Sequence, residues 1–257
     1  MLFSISTPNG HKARIPTLPV ICRPEPEAVR ERYARRLVSH PGSCYSPLLP
    51  YNLHALQEKE RALVRLIRRV GLTPAETKRV LEIGCGTGDN LHKLIQLGFR
   101  PENLTGNELL EGRCATARSR LPAATQILCG DASELRLAPE SFDAVLQSTV
   151  FTSILSEEFQ QKLADRMWAL AKPGGGILWY DFLYDNPRNP DVRGVPLRRI
   201  AALFKEGELS AWKITLAPPI GRLVTKLCPS MYAAFNLFPI LRTHVLCWIS
   251  KPLASPH

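Results

Sequence analysis

The chain has 257 residues, seven cysteines, 45% hydrophobic residues and a net charge of +10. This length and composition fit one soluble α/β domain with additional elements and a substantial core. They exclude a membrane-spanning design, because no apolar run reaches the roughly 18 residues that a span needs.

The N-terminal stretch Met1 to Pro26 is interrupted by Pro8, Pro16, Pro19, Pro24 and Pro26. It reads as a Pro-rich arm (1–26) and not as a signal peptide. The scattered cysteines, odd in number and without Cys-x-x-Cys pairs, predict reduced thiols, a cytoplasmic protein and no zinc site. Residues 1–79 hold 14 Lys/Arg against 6 Asp/Glu, residues 80–185 hold 9 against 14, and residues 186–257 hold 10 against 3. An acidic centre between basic flanks suits a cationic ligand at the centre and an anionic partner at the flanks; solvated surface charge is the competing reading.

Glu27 to Val38 predicts a short basic helix, ended by His40-Pro41-Gly42. A turn-rich aromatic linker, Cys44 to Tyr51, follows. Asn52 is the expected cap of a helix running to Val70, with Leu53, Leu56, Leu63, Leu66, Ile67 and Val70 on one side and Gly71 closing it. From Val80 the pattern alternates. Strands are expected at Val80–Ile83, Leu104–Glu108, Gln126–Cys129, Phe142–Gln147 and Ile177–Phe182. Helices are expected at Asn90–Leu97, Leu110–Arg120 and Glu157–Ala171, with Lys172-Pro173-Gly174-Gly175-Gly176 as a turn. Such alternation implies a parallel, doubly wound sheet. The tail predicts a helix at Pro196–Lys205, a strand at Ser210–Leu216, a helical stretch at Ile220–Asn236 and a last strand at His244–Ser250.

The stretch that organises the chain is Glu82-Ile83-Gly84-Cys85-Gly86-Thr87-Gly88-Asp89-Asn90. Glycines let the backbone approach a ligand closely, and the following helix offers free N–H groups. A dinucleotide fingerprint requires a small residue where Asp89 stands, and a phosphate loop ending in Gly-Lys-Ser/Thr is absent. Glu-x-Gly-x-Gly-x-Gly instead resembles motif I of the class I S-adenosylmethionine-dependent methyltransferases, of the type 11/25-like kind. Four further elements follow in order over about 100 residues: Thr105-Gly106-Asn107-Glu108-Leu109, Gly130-Asp131-Ala132, Ser141-Phe142-Asp143-Ala144-Val145 and Lys172-Pro173-Gly174-Gly175.

The resemblance implies a Rossmann-like, seven-stranded methyltransferase sheet with strand 7 antiparallel, helices on both faces and an N-terminal helical lid at 27–78. The methyltransferase domain then spans 79–257, with a helical insertion at about 220–241. The implied cofactor is S-adenosyl-L-methionine, held by Glu82, Gly84, Cys85, Gly86, Thr87, Gly88, Asn90, Glu108, Leu109, Asp131, Ala132, Gln147 and Tyr45. In that scheme Glu108 takes the ribose diol, Asp131 and Ala132 the adenine, and Glu82 the methionine amino group. A carboxylate suits the diol because charge-assisted hydrogen bonds are the stronger kind. For Asp89 and Asn90, helix capping and contact with the amino-acid end are both open, and Asp143 reads as structural.

The end of strand 4, Gln147 to Ser153, lacks an Asn/Asp-Pro-Pro-Tyr/Phe motif and a carboxylate to complete a metal site with Asp181 or Asp185-Asn186. No metal is expected. Methyl transfer to a hydroxyl needs a base, and His54, Asp181 and Tyr184 are the candidates, with His40 behind them. The segment Tyr184 to Gly194 and the stretch Ser46 to Asn52 resemble methyltransferases encoded with bacterial surface-polysaccharide genes. A sugar or lipid-linked glycan, anionic in character, is therefore the expected acceptor. Peripheral contact with the inner membrane face through Ile220–Leu241 competes with core packing for that segment. The alternatives are a small secondary metabolite as acceptor, or a non-catalytic cofactor- or RNA-binding module. Nucleic acid is disfavoured, since the basic flanks lack an aromatic stacking pattern.

Overall fold

A computed structural model describes residues 24–39, 46–187 and 189–253. Tyr45, His40, Arg188 and most of the expected Pro-rich arm lie outside the described residues.

Seven strands form one sheet in the order β3-β2-β1-β4-β5-β7-β6. They are β1 (Val80–Ile83), β2 (Leu104–Glu108), β3 (Gln126–Cys129), β4 (Phe142–Ser148), β5 (Ala171–Phe182), β6 (Glu208–Leu216) and β7 (Arg242–Ser250). The first five pair in parallel, and β7 runs antiparallel to both β5 and β6. All four residues of β1 and all five of β2 are buried, as expected for parallel strands covered on both faces. One face carries a core built on Phe142, Phe151, Met167 and Trp179; the other is built on Leu66, Leu91, Leu104 and Trp248.

Eight helices accompany the sheet among the described residues: α1 (Glu25–Ser39), α2 (Pro50–Arg69), α3 (Asp89–Gln96), α4 (Glu111–Arg120), α5 (Glu157–Leu170), α6 (Leu197–Leu203), α7 (Pro218–Leu227) and α8 (Met231–Phe235). Because β1 lies between β2 and β4, the strand order reverses there, which opens a crevice at the carboxyl ends of the strands.

Several local expectations are corrected. Leu49, not Asn52, is the N-cap of α2, with Pro50 in the first turn; Asn52 donates through Nδ2 to the Ser46 carbonyl (3.0 Å). Proline suits this position because its missing N–H is one that a helix start leaves unbonded anyway. Gly88, at φ 88°, caps α3 in place of Asp89 or Asn90. The single helix expected at Ile220–Asn236 is broken into α7 and α8, because Pro229 disfavours helical backbone at Cys228, which is extended. β5 starts at Ala171, six residues before the expected Ile177, since Ala171 already pairs with Phe142. Cys114 on α4 and Cys129 at the end of β3 are joined by a disulfide, contrary to the expectation of reduced thiols.

Candidate active site

The glycine turn between β1 and α3 forms the floor of a cavity of about 400 Å³ at the switch point. Gly84 and Gly86 have φ of 65° and 59°, a region costly for residues with a side chain. A Cβ on Gly84 would stand 2.4 Å from Val150 Cγ2, so the end of β4 closes directly on the turn. Glu108 ends β2 and holds the turn in shape: Oε2 accepts from Gly86 N and Oε1 from Leu110 N, both at 2.9 Å. Asp131 follows β3 and accepts from Ser133 N at 2.8 Å, capping a short helical turn that begins with Ala132.

Gly84, Cys85, Gly86, Thr87, Asn90, Glu108, Leu109, Asp131 and Ala132 all line this one cavity. Glu82 is fully buried beside it and accepts from Asn90 Nδ2 at 2.6 Å through Oε1; its Oε2 is buried with no partner among the described residues. Burial pushes the Glu82 carboxyl up to about 7, against the Asn90 hydrogen bond and the Lys59 charge, which pull it down. Burial likewise raises the Cys85 thiol, which keeps it protonated. Gly88 serves as helix cap and is not among the lining residues.

Lys59 of α2 also lines the cavity, and the sequence reading missed it. Its ammonium donates to Asn90 Oδ1 and Ser148 Oγ, both at 3.1 Å, and lies 4.4 Å from the centre of the Tyr180 ring. Burial lowers the Lys59 pKa, and the carboxylates of Glu82, Asp89, Asp181 and Glu60 resist that shift. A signal was present: Lys59 interrupts the apolar stripe of α2, three residues after Leu56 and four before Leu63.

The other expected residues lie elsewhere. His54 stacks on Tyr232 of α8, with ring centres 5.2 Å apart, and does not line the cavity. Five residues separate it from Lys59, a rotation of about 140° around the helix, so one helix aims the two at different sites. Asp181 is fully buried within β5; it accepts from Thr152 N (3.2 Å) and Phe182 N (3.0 Å). Burial raises its carboxyl to about 7, and hydrogen bonds from Thr152, Phe182 and Gln147 oppose the rise. Tyr184 is exposed and its hydroxyl accepts from Lys213 Nζ at 3.2 Å. Gln147 is buried beneath the β4 turn, where Oε1 accepts from Val150 N at 3.1 Å, and it does not reach the cavity.

Apolar side chains from three parts of the chain also line the cavity: Pro26 and Val29 of α1, Leu56 of α2, and Val150, Ile154, Phe159 and Leu163 beyond β4. The first helix is fixed there: Leu155 N donates to Glu25 (2.8 Å) and Arg32 donates to the Ser153 carbonyl (3.0 Å). Tyr33 of α1 and Arg113 of α4, both lining residues, stack at 4.8 Å. At the end of β4, Thr149 has φ 59°, an unfavourable conformation for a β-branched residue. Such strain is concentrated at functional sites, and here it turns Ser148–Val150 into the cavity.

Residues 80–175 match the family model described as "Methyltransferase domain". The chain is 31% identical over 112 residues to the tRNA N(3)-cytidine methyltransferase METTL2 of Gallus gallus, a match covering 40% of this chain and 30% of that protein. It is 37% identical over 107 residues to the fatty-acid O-methyltransferase of Mycolicibacterium smegmatis, covering 41% and 38% respectively. The chain thus spans well under half the length of either relative. A solved SAM-dependent methyltransferase from Archaeoglobus fulgidus superimposes with a TM-score of 0.53 at 16% identity, covering 78% of this chain and 99% of that one, and shares the fold. With the sheet shared and the glycine-turn half matched in sequence, residues 80–175 form a methyltransferase domain, and the chain has the fold of the class I S-adenosylmethionine-dependent methyltransferases.

Proposed function

We propose that the chain transfers the methyl group of S-adenosylmethionine to an oxygen of an acceptor with an extended apolar part. The observation that carries the cofactor half is the pairing of an orphaned buried oxygen, Glu82 Oε2, with an enclosed ammonium, Lys59. An amino-acid group offers one partner to each: its ammonium to Glu82, its carboxylate to Lys59. The remaining donors and acceptors fit the rest of the cofactor. Glu108 is set for the ribose diol, and Asp131 with the Ala132 amide for the adenine edge. Gly86 leaves open the space that a side chain would take on the cradle's floor, and Gly84 lets Val150 close on the turn. When bound, the cofactor supplies a methyl group already activated by its sulfonium.

What the protein's residues do is align. Glu108 fixes the turn through two backbone N–H groups, and Lys59 bridges α2 to α3 and β4. The strained Thr149 presents the β4 end to the acceptor. Positioning of this kind supplies much of the rate of a displacement reaction. The three expected bases lie off the cavity, so the arrangement favours an acceptor oxygen that is already anionic, such as a carboxylate on an apolar chain. The apolar wall supports the chain, and the basic flanks support the charge. A second reading, a sugar hydroxyl of an anionic lipid-linked glycan, draws on the same basic flanks but needs a base from outside the described cavity residues.

Calorimetry with S-adenosylmethionine tests the cofactor half: wild type binds and Glu108→Ala binds at least tenfold more weakly. No binding by wild type, or equal binding by the variant, refutes it. Incubation with labelled cofactor and either fatty acids or glycan extracts tests the acceptor. Label confined to the aqueous glycan fraction overturns the apolar-acceptor reading.

A further inference from the structure

Ten of the twelve large hydrophobic side chains exposed among the described residues come from two segments, 48–56 and 223–240. These segments pack on each other. The Tyr51 ring of α2 lies against Gly221 of α7, where a Cβ would come within 2.3 Å of it. Glu58 of α2 accepts from Tyr232 (2.7 Å) and Asn236 (2.7 Å) beyond it. On α7 the inward side is Gly221, Val224 and Thr225, while Leu223 and Leu227 stand 62% and 73% exposed. Phe238 and Ile240 add 60% and 85% exposure in the turn before β7.

Within these segments charge has one sign. No Asp or Glu occurs in residues 46–57 or 209–253, while Arg222 and Lys226 are exposed beside Leu223 and Leu227. A helix with apolar and cationic side chains adjoining on its outer face suits the boundary between headgroups and acyl chains. The surface also leads to the site. Leu56 is 41% exposed and lines the cavity, so apolar surface continues from α2 to the cavity mouth.

We propose that this face, formed by the start of α2, α7 and the turn at Phe238–Ile240, docks on an anionic lipid bilayer. Its purpose, delivery of an apolar acceptor to the cavity past Leu56, rests on the function proposed above; the docking itself does not. The lack of carboxylates selects an anionic surface over a neutral one, because each Lys or Arg near such a surface strengthens binding roughly fivefold.

The test is sedimentation of the full chain, without cofactor or acceptor, with phosphatidylcholine vesicles and with vesicles containing phosphatidylglycerol. The chain is expected to sediment with the anionic vesicles only, less so at high salt. Lys226→Glu should weaken partition about thirtyfold, from the loss of one cation and gain of one anion. Phe238→Ser should abolish it while leaving S-adenosylmethionine affinity unchanged. Hydrogen exchange over 222–241 should slow only when anionic vesicles are added. Equal partition to both vesicle types, or none, overturns the proposal. Self-association abolished by Phe238→Ser also overturns it, by assigning the face to a second copy. In each such case retained cofactor binding leaves the methyltransferase reading intact.

Discussion

Replacing Lys59 by methionine separates binding from folding. The side chain keeps its length and apolar stem but loses the ammonium that donates to Asn90 Oδ1 and Ser148 Oγ. If that ammonium holds the carboxylate end of the cofactor, the variant loses a charge-assisted interaction, worth about 1.5–3 kcal/mol. The expected result is a rise of about 10- to 100-fold in the Kd for S-adenosylmethionine. Stability without the cofactor should change far less, because burial already disfavours the charged lysine and methionine fills the same space. Thermal unfolding with and without cofactor reads both quantities. At a cofactor concentration of about 100 Kd, binding stabilises wild type by about 2.7 kcal/mol, and a 100-fold weaker variant retains only about 0.4 kcal/mol. Unchanged cofactor affinity would refute the reasoning. A loss of stability in the free protein as large as the loss of binding would make Lys59 a structural tie and not a ligand-binding residue.

Gly84→Ala should lower stability by about 1–3 kcal/mol, since it puts a Cβ at positive φ and 2.4 Å from Val150 Cγ2. Urea unfolding should show the loss and calorimetry a weaker cofactor; wild-type behaviour in both would mean the turn is not rigid. The buried carboxyls predict a pH dependence. Asp181 is raised from 3.8 to about 7, so the native state binds its proton more tightly than the unfolded chain does. Its contribution is therefore complete below about pH 4 and lost as pH rises through about 7, by up to about 4 kcal/mol. Glu82, raised to about 7, acts in the same direction. Urea midpoints measured between pH 5 and 8 should fall with pH, and less steeply in Asp181→Asn, which mimics the protonated acid. An identical slope in the variant would rule Asp181 out as a source.

The parallel half of the sheet was legible because short apolar runs alternate with helical periodicity and stop at glycine, asparagine or acidic residues. Strands β1, β2 and β3 have the expected bounds for that reason. The glycine turn and Glu108 were legible because their backbone demands are local. What required tertiary structure was distance in sequence. Lys59 reaches the cavity from a position some 25 residues before the turn, and only its place in an apolar stripe marks it. His54, Asp181 and Tyr184 have suitable chemistry, but a helical rotation, burial within β5 and exposure at its end remove them from the cavity. The break between α7 and α8 was written in Pro229, inside an otherwise helical pattern.

Neighbouring residues of α2 serve opposite sides of the molecule. Glu58 grips Tyr232, Asn236 and the Thr215 amide, while Lys59 grips Asn90 and Ser148. One helical turn thus joins the helical segment between β6 and β7 to the cavity. For anyone grafting acceptor preference between relatives, residues 217–241 are not a detachable cassette. A donor segment lacking hydroxyl and amide partners for Glu58 would leave a buried carboxylate short of donors. The helix would then shift, and the misplacement would register first at Lys59, in a binding site that the graft never touched.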